Sequence, residues 1–131
     1  MKKILLDSDV IIANLRNETP VTEFLDRLLE KGTVLYVSPI AYAEVYAGRR
    51  LGEDEAIGGF FRSVECLHID GSVGEKAGEY LRIFSKSSGV KIADALVAAT
   101  AYCHQVGLYT LNRKHYPMKD IEVVGSPKAL H

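Results

Sequence analysis

The chain has 131 residues, 47% of them hydrophobic, enough for one compact domain that buries roughly two thirds of the surface its unfolded form exposes. Its 16 Lys and Arg face 17 Asp and Glu, a formal charge of -1, so its overall field gives no strong pull toward nucleic acid or anionic lipid, and any polyanion must be gripped locally. Apolar runs such as residues 93–102 fall short of the roughly 20 residues that a spanning helix needs, and Lys2-Lys3 leads straight into a strand-like run, which predicts a soluble, cytoplasmic single domain over residues 1–131 without membrane contact.

Residues 3–6 form a short apolar run that ends at Asp7, and residues 10–15 follow with helical character, with Asp9 placed to cap them. Thr19-Pro20 supplies a cap and a first-turn proline for a helix whose Val21, Phe24, Leu25, Leu28 and Leu29 recur at helical spacing, and Gly32 stops it. Residues 33–37 are β-branched and aromatic, as a buried strand should be, and Ser38-Pro39 opens a helix that carries Glu44 about one and a half turns inside. On that helix Ile40, Ala43 and Ala47 share the side of Glu44, which predicts a carboxylate at the edge of the buried stripe.

Residues 53–64 are amphipathic despite Gly58-Gly59, and residues 66–69 read as a short strand. Phe60 and Phe61 on that amphipathic face suggest either a partner surface or ordinary core packing. A helix over residues 72–87 precedes a break at Ser88-Gly89-Val90-Lys91, and an alanine-rich helix over residues 92–105, with Asp94 in its first turn, permits close packing on a sheet. Residues 108–111 make a buried strand, residues 112–117 a polar turn and residues 121–124 an edge strand. Strands alternating with helices imply a three-layer α/β/α sandwich with a central, mostly parallel sheet, whose site forms beyond the carboxyl ends of the strands.

Three acids, Asp7, Glu44 and Asp94, lie in or beside core-forming segments. An unpaired carboxylate costs several kcal/mol where it is stripped of water, so a shared divalent cation is one natural compensator. Each acid also has an ordinary explanation: pairing for Asp7, a solvated helix face for Glu44 and the helix dipole for Asp94. Among the histidines, His68, His104 and His131 fit structural or terminal positions, whereas His115 stands near Asn112, Arg113 and Lys114 in a turn able to touch substrate. Lys91, Arg113, Lys114 and the pair Arg49-Arg50 are candidates for holding a phosphate backbone. Tyr42, Tyr46 and Tyr116 are able to stack on bases or to pack in the core, and Cys66 and Cys103 match no metal spacing and read as small reduced hydrophobes.

Four runs in order, Ile4-Leu5-Leu6-Asp7-Ser8-Asp9-Val10, Ser38-Pro39-Ile40-Ala41-Tyr42-Ala43-Glu44, Ile92-Ala93-Asp94-Ala95-Leu96 and Leu108-Tyr109-Thr110-Leu111-Asn112, resemble the PIN-domain nucleases, in particular the VapC-type toxins of toxin-antitoxin pairs. The resemblance implies a Rossmann-like fold and a metal-dependent endoribonuclease that leaves 5′-phosphate and 3′-hydroxyl ends. It also implies Mg²⁺ or Mn²⁺ as cofactor and RNA as substrate, and the apolar face of residues 53–64 is then expected to take a VapB-type antitoxin or a second copy of the chain in a homodimer. By position it makes Asp7, Glu44 and Asp94 the acidic ligands and catalytic groups, with Ser8, Asp9, Thr110 and Asn112 secondary. Many members carry a further Asp near the last motif, where this chain has Asn112. The opening Asp7-Ser8-Asp9 also resembles haloacid-dehalogenase-type phosphatases, and Asn112 is compatible with a PIN-like module that has lost catalysis.

Overall fold

The computed structural model describes residues 2–125; His131, expected to be a simple tail, lies outside them, as do both limits of the unit 1–131. Strands β1 (Lys3–Leu6), β2 (Val34–Val37), β3 (Glu65–Cys66), β4 (Gly107–Tyr109) and β5 (Val123–Val124) form one sheet in the order β3-β2-β1-β4-β5. All four neighbouring pairs are parallel. The helices are α1 (Ser8–Leu15), α2 (Thr19–Glu30), α3 (Pro39–Ala47), α4 (Asp54–Arg62), α5 (Gly71–Ser88) and α6 (Ile92–His104).

Two separate cores make this a three-layer sandwich. Alternate residues of a strand face opposite sides. Ile4 and Leu6 accordingly join Leu35, Val37 and Tyr109 under α1 to α4, while Leu5 and Leu108 lie under α5 and α6. The alanines of α6 do what small residues allow: Ala95, Ala98, Ala99 and Ala101 are fully or almost fully buried, which brings the helix backbone close to its neighbours.

Several local expectations are corrected. The first residue before α2 is Glu18, and no side chain caps that helix, so Thr19 and Pro20 both lie within its first turn. The strand expected over residues 66–69 ends at Cys66, because β3 has only β2 to pair with and Asp70 soon turns the chain into α5 by accepting from Val73 N at 3.1 Å. Phe61 is a core residue, stacked on Tyr42 with centroids 3.9 Å apart, and Phe60 lies half-buried edge-on to it. The α4 face suspected of offering two phenylalanines to a partner is therefore spent mainly on the core. Cys66 is half-buried as expected of a small hydrophobe, but Cys103 is exposed.

The strand order decides where chemistry can happen. From β1 the chain moves outward through β2 and β3, then crosses back to β4 on the other side of β1 and on to β5. That reversal opens a crevice beyond the carboxyl ends of β1 and β4.

Candidate active site

Asp7 and Thr110 follow immediately on those two strands. The Asp7 amide still donates to Tyr109 O at 2.9 Å, so Asp7 prolongs the β1–β4 ladder and its carboxylate emerges at the crevice. It is also the cap of α1, accepting from Ser8 N at 2.9 Å through Oδ1, a role the sequence assigned to Asp9. The reason is backbone geometry: Asp7 keeps the extended conformation of a strand (φ -73°, ψ 158°) that a cap requires, whereas Asp9 is already helical.

Burial of Asp7 is compensated by hydrogen bonds. With only 8% of its surface exposed, it accepts through Oδ2 from the Thr110 and Tyr116 hydroxyls, each at 2.8 Å. Asp9 accepts through Oδ2 from Leu111 N and from the Asn112 amide, both at 3.2 Å. Its Oδ1 is buried and, among the described residues, is the one buried side-chain oxygen or nitrogen without a partner. Burial, reinforced by the Asp7 charge, pushes the Asp9 carboxyl up to about 6, against the opposing pull of the Leu111 and Val10 N–H groups and the Asn112 amide.

The segment from Thr110 to Tyr116, with a single 3₁₀ turn at Arg113–His115, links the acids. Thr110 and Tyr116 hold Asp7, Leu111 and Asn112 hold Asp9, and His115 Nδ1 lies 3.8 Å from Asp94 Oδ1. Burial drives the Tyr116 phenol strongly upward, and the charges of Asp7, Asp94 and Asp9 add to this, so one hydroxyl feels all three aspartates. Tyr116, suspected of stacking on bases, is thus buried and aimed at Asp7; Tyr42 and Tyr46 both stack on Phe61.

Glu44 and Asp94 are held more loosely. Glu44 is exposed, not part of a buried stripe: α3 buries Ala41 and Val45, while Ala43, Glu44 and Ala47 face outward. One bond ties it to the crevice, Ser8 Oγ donating to Oε1 at 2.7 Å. Asp94, half-buried, reaches back from the first turn of α6 to accept from Lys91 N at 3.4 Å. Of the basic candidates, Arg49 pairs with Asp54 at 2.7 Å, Arg50 N donates to Glu53 and Arg113 donates to Val123 O at 3.1 Å. Lys91, Lys114 and His115 are exposed beside the acids' own segments.

Among the described residues no three His, Cys, Asp or Glu side chains are already arranged as a closed set of metal ligands. The expectation that three buried acids need one cation is therefore modified: Glu44 is solvated and Asp7 is satisfied by three donors. The unsatisfied oxygen belongs instead to Asp9. An all-oxygen, carboxylate-rich donor set with one buried orphan still suits a hard cation, since Mg²⁺ is ordinarily held by one or two carboxylates and completes its shell with water and phosphate.

Residues 4–120 match the family described as PIN domain. The chain belongs to the PIN-domain family. It is 32% identical over 116 residues to Ribonuclease VapC10 of Mycobacterium tuberculosis, an alignment that covers 88% of this chain and 86% of that protein. FitAcB from Neisseria gonorrhoeae superposes with a TM-score of 0.68 at 28% identity, covering 92% of this chain and 95% of the other. The DNA-bound VapBC structure from Salmonella typhimurium gives a TM-score of 0.77 at 20% identity, with 95% and 98% covered, a likeness of fold. The PIN fold places Asp7 at the end of its first strand and Thr110 at the end of the strand beside it. What sequence reasoning missed is the function of Tyr116: nothing in a Tyr-Pro pair after a polar turn signals a hydroxyl reaching a carboxylate 109 positions away.

Proposed function

We propose that this chain, a single PIN domain over residues 1–131, is a metal-dependent endoribonuclease and the toxin of a type II toxin-antitoxin pair. The observation that carries the reading is the Asp7–Asp9 pair at the sheet's switch point, with a buried carboxylate oxygen that has no hydrogen-bond partner among the described residues. The likeness to a protein named Ribonuclease VapC10 supports RNA as the substrate, and the neighbours solved as VapBC complexes support a VapB-type antitoxin as partner. Among the described residues no helix is long and apolar enough to cross a membrane, which fits the proposed cytoplasmic site of action. A homodimer is the proposed assembly.

Asp7, Asp94 and Glu44 would hold Mg²⁺ or Mn²⁺, directly or through water, and the orphaned Oδ1 brings Asp9 into the set. When bound, the ion neutralises charge on the phosphoryl oxygens and acidifies water. Among the described residues Glu44 is engaged by Ser8 alone, through Oε1, so Oε2 remains to orient an attacking water and take its proton. Asn112 holds Asp9 Oδ2 through its amide and adds no charge. Lys91, Lys114, His115 and Arg50, whose contact to Glu53 uses only its backbone N–H, would line the path of the RNA backbone, joined by Arg49 and Arg113 once their side-chain contacts are exchanged for phosphate.

The deciding experiment incubates structured and unstructured RNA with the full chain in Mg²⁺, in EDTA, and with Asp7→Asn. Cutting only by the unmodified chain with Mg²⁺, leaving 5′-phosphate ends, is the expected result. Equal cutting in all three rejects the proposal, and no cutting together with no binding of millimolar Mn²⁺ favours an inactive interaction module.

A further inference from the structure

The Asp7 carboxylate has about four lone-pair positions, and three are committed. Oδ1 receives one N–H, from Ser8; Oδ2 receives two hydroxyl protons, from Thr110 and Tyr116. The Thr110 proton is itself directed, because its oxygen accepts from Asn112 N at 3.1 Å and lies closer to Asp7 (2.8 Å) than to Asp9 (3.5 Å). The Tyr116 ring is buried in the core beneath α5 and α6, in the cluster that also holds Leu5, Ala95, Leu108 and Met118. Its hydroxyl donates to Asp7 Oδ2 and to no other group among the described residues. Both lone pairs of Oδ2 are therefore consumed, and the one remaining position lies on Oδ1.

We propose that Tyr116 is a positioning residue that restricts Asp7 to one-oxygen coordination of a cation, and that it thereby sets the ion preference of the site. This rests on the reading of Asp7 as an ion-holding group. Ca²⁺ accepts carboxylates through both oxygens at relatively long distances, whereas Mg²⁺, and the Mn²⁺ used here as its probe, demand a smaller octahedral shell met by single carboxylate oxygens. With the tyrosine proton in place Oδ2 is closed to an ion. Without it, Oδ2 regains a lone pair and the carboxylate is free to turn and chelate.

Calorimetric titration of the full chain with Mn²⁺ and, separately, with Ca²⁺ tests this on Tyr116→Phe, which keeps the ring and removes the donor. Mn²⁺ affinity should fall roughly 10-fold, the lower end of what losing an outer-shell partner costs. The preference for Mn²⁺ over Ca²⁺ should fall with it. A protein with 4-aminophenylalanine at position 116, which retains an N–H donor, should return to the original preference. Tyr80→Phe, which loses a 2.6 Å hydrogen bond to Asp120 elsewhere in the fold, should leave both affinities unchanged and so separates positioning from general loosening. Should Tyr116→Phe melt below the assay temperature, 4-fluorophenylalanine at 116, close to tyrosine in size and lacking the proton, makes the same comparison. An unaltered Mn²⁺/Ca²⁺ ratio in the donor-free proteins overturns the proposal while the site reading stands. Failure of the unmodified chain to bind either ion overturns both.

Discussion

Asp7 and Glu44 face the same crevice and are held in opposite ways. Asp7 is almost wholly buried, receives three hydrogen bonds, and shares its surroundings with Asp9, whose second oxygen has no partner among the described residues. Glu44 is exposed and tethered by one serine hydroxyl. The inner wall concentrates negative charge where water cannot relieve it, which costs stability and creates demand for a cation. The outer rim costs almost nothing and leaves the Glu44 carboxylate in reach of water, as its proposed part in handling a proton requires. Substitutions should therefore divide in two: in the wall, activity and stability move together, often in opposite directions; on the rim, activity moves alone.

The largest effect is expected from Asp7→Asn, which should take RNA cleavage to the detection limit and abolish the rise in melting temperature that Mn²⁺ gives the unmodified chain by mass action. Calorimetry and a gel assay check both. Next is Asp9. Its folded carboxyl keeps a proton up to about pH 6, whereas an ordinary aspartate loses it near 3.8. Between these values the folded state binds more protons, so the stability of the ion-free protein should fall as pH rises through that window and stay low above it, by about 3 kcal/mol in full. Asp9→Asn should remove this component, giving at pH 7 a protein roughly 1–3 kcal/mol more stable that binds Mn²⁺ poorly. Urea unfolding at pH 4 and pH 7 for the two proteins measures it, and parallel pH dependences would contradict the burial argument.

On the rim, Glu44→Gln should slow cleavage roughly 100-fold, the lower range for losing a general base, yet shift stability by no more than about 0.5 kcal/mol. A drop in stability as large as that of a core substitution would place Glu44 with the wall. Ser8→Ala, which frees Glu44 without removing it, should cost only several-fold in rate. The smallest change is expected for His115→Ala, whose 3.8 Å approach to Asp94 is exposed; it should raise KM only modestly, because a single exposed polar contact on the rim is lost.

Much of the fold was legible along the chain because its signals are local. Ser38-Pro39 announced α3, and Ser38 Oγ does accept from Ala41 N. The alternation of Ile4, Leu5 and Leu6 into two cores follows from strand geometry alone. Local rules failed where two explanations shared one residue: a helical wheel for Glu44 could not tell the edge of a buried stripe from an open crevice, and capping statistics favoured Asp9 although Asp7 had the required backbone. Phe60 and Phe61 stayed open between a partner surface and the core because the wheel shows which face is apolar but not what lies opposite it. Tyr42 did.

The order of residues thus determined the alternation of strands and helices, the two apolar faces of the sheet, and the arrival of acids at strand ends and helix starts, since each depends on neighbours a few positions apart. Only the folded chain decided which acid oxygen goes unsatisfied and which hydroxyl fixes Asp7. Those outcomes need β1 and β4 side by side, and the segment from Thr110 to Tyr116 laid across residues 7 to 9. A hydrogen bond between groups a hundred positions apart is a matter of distance and direction, quantities that spacing along a chain does not contain.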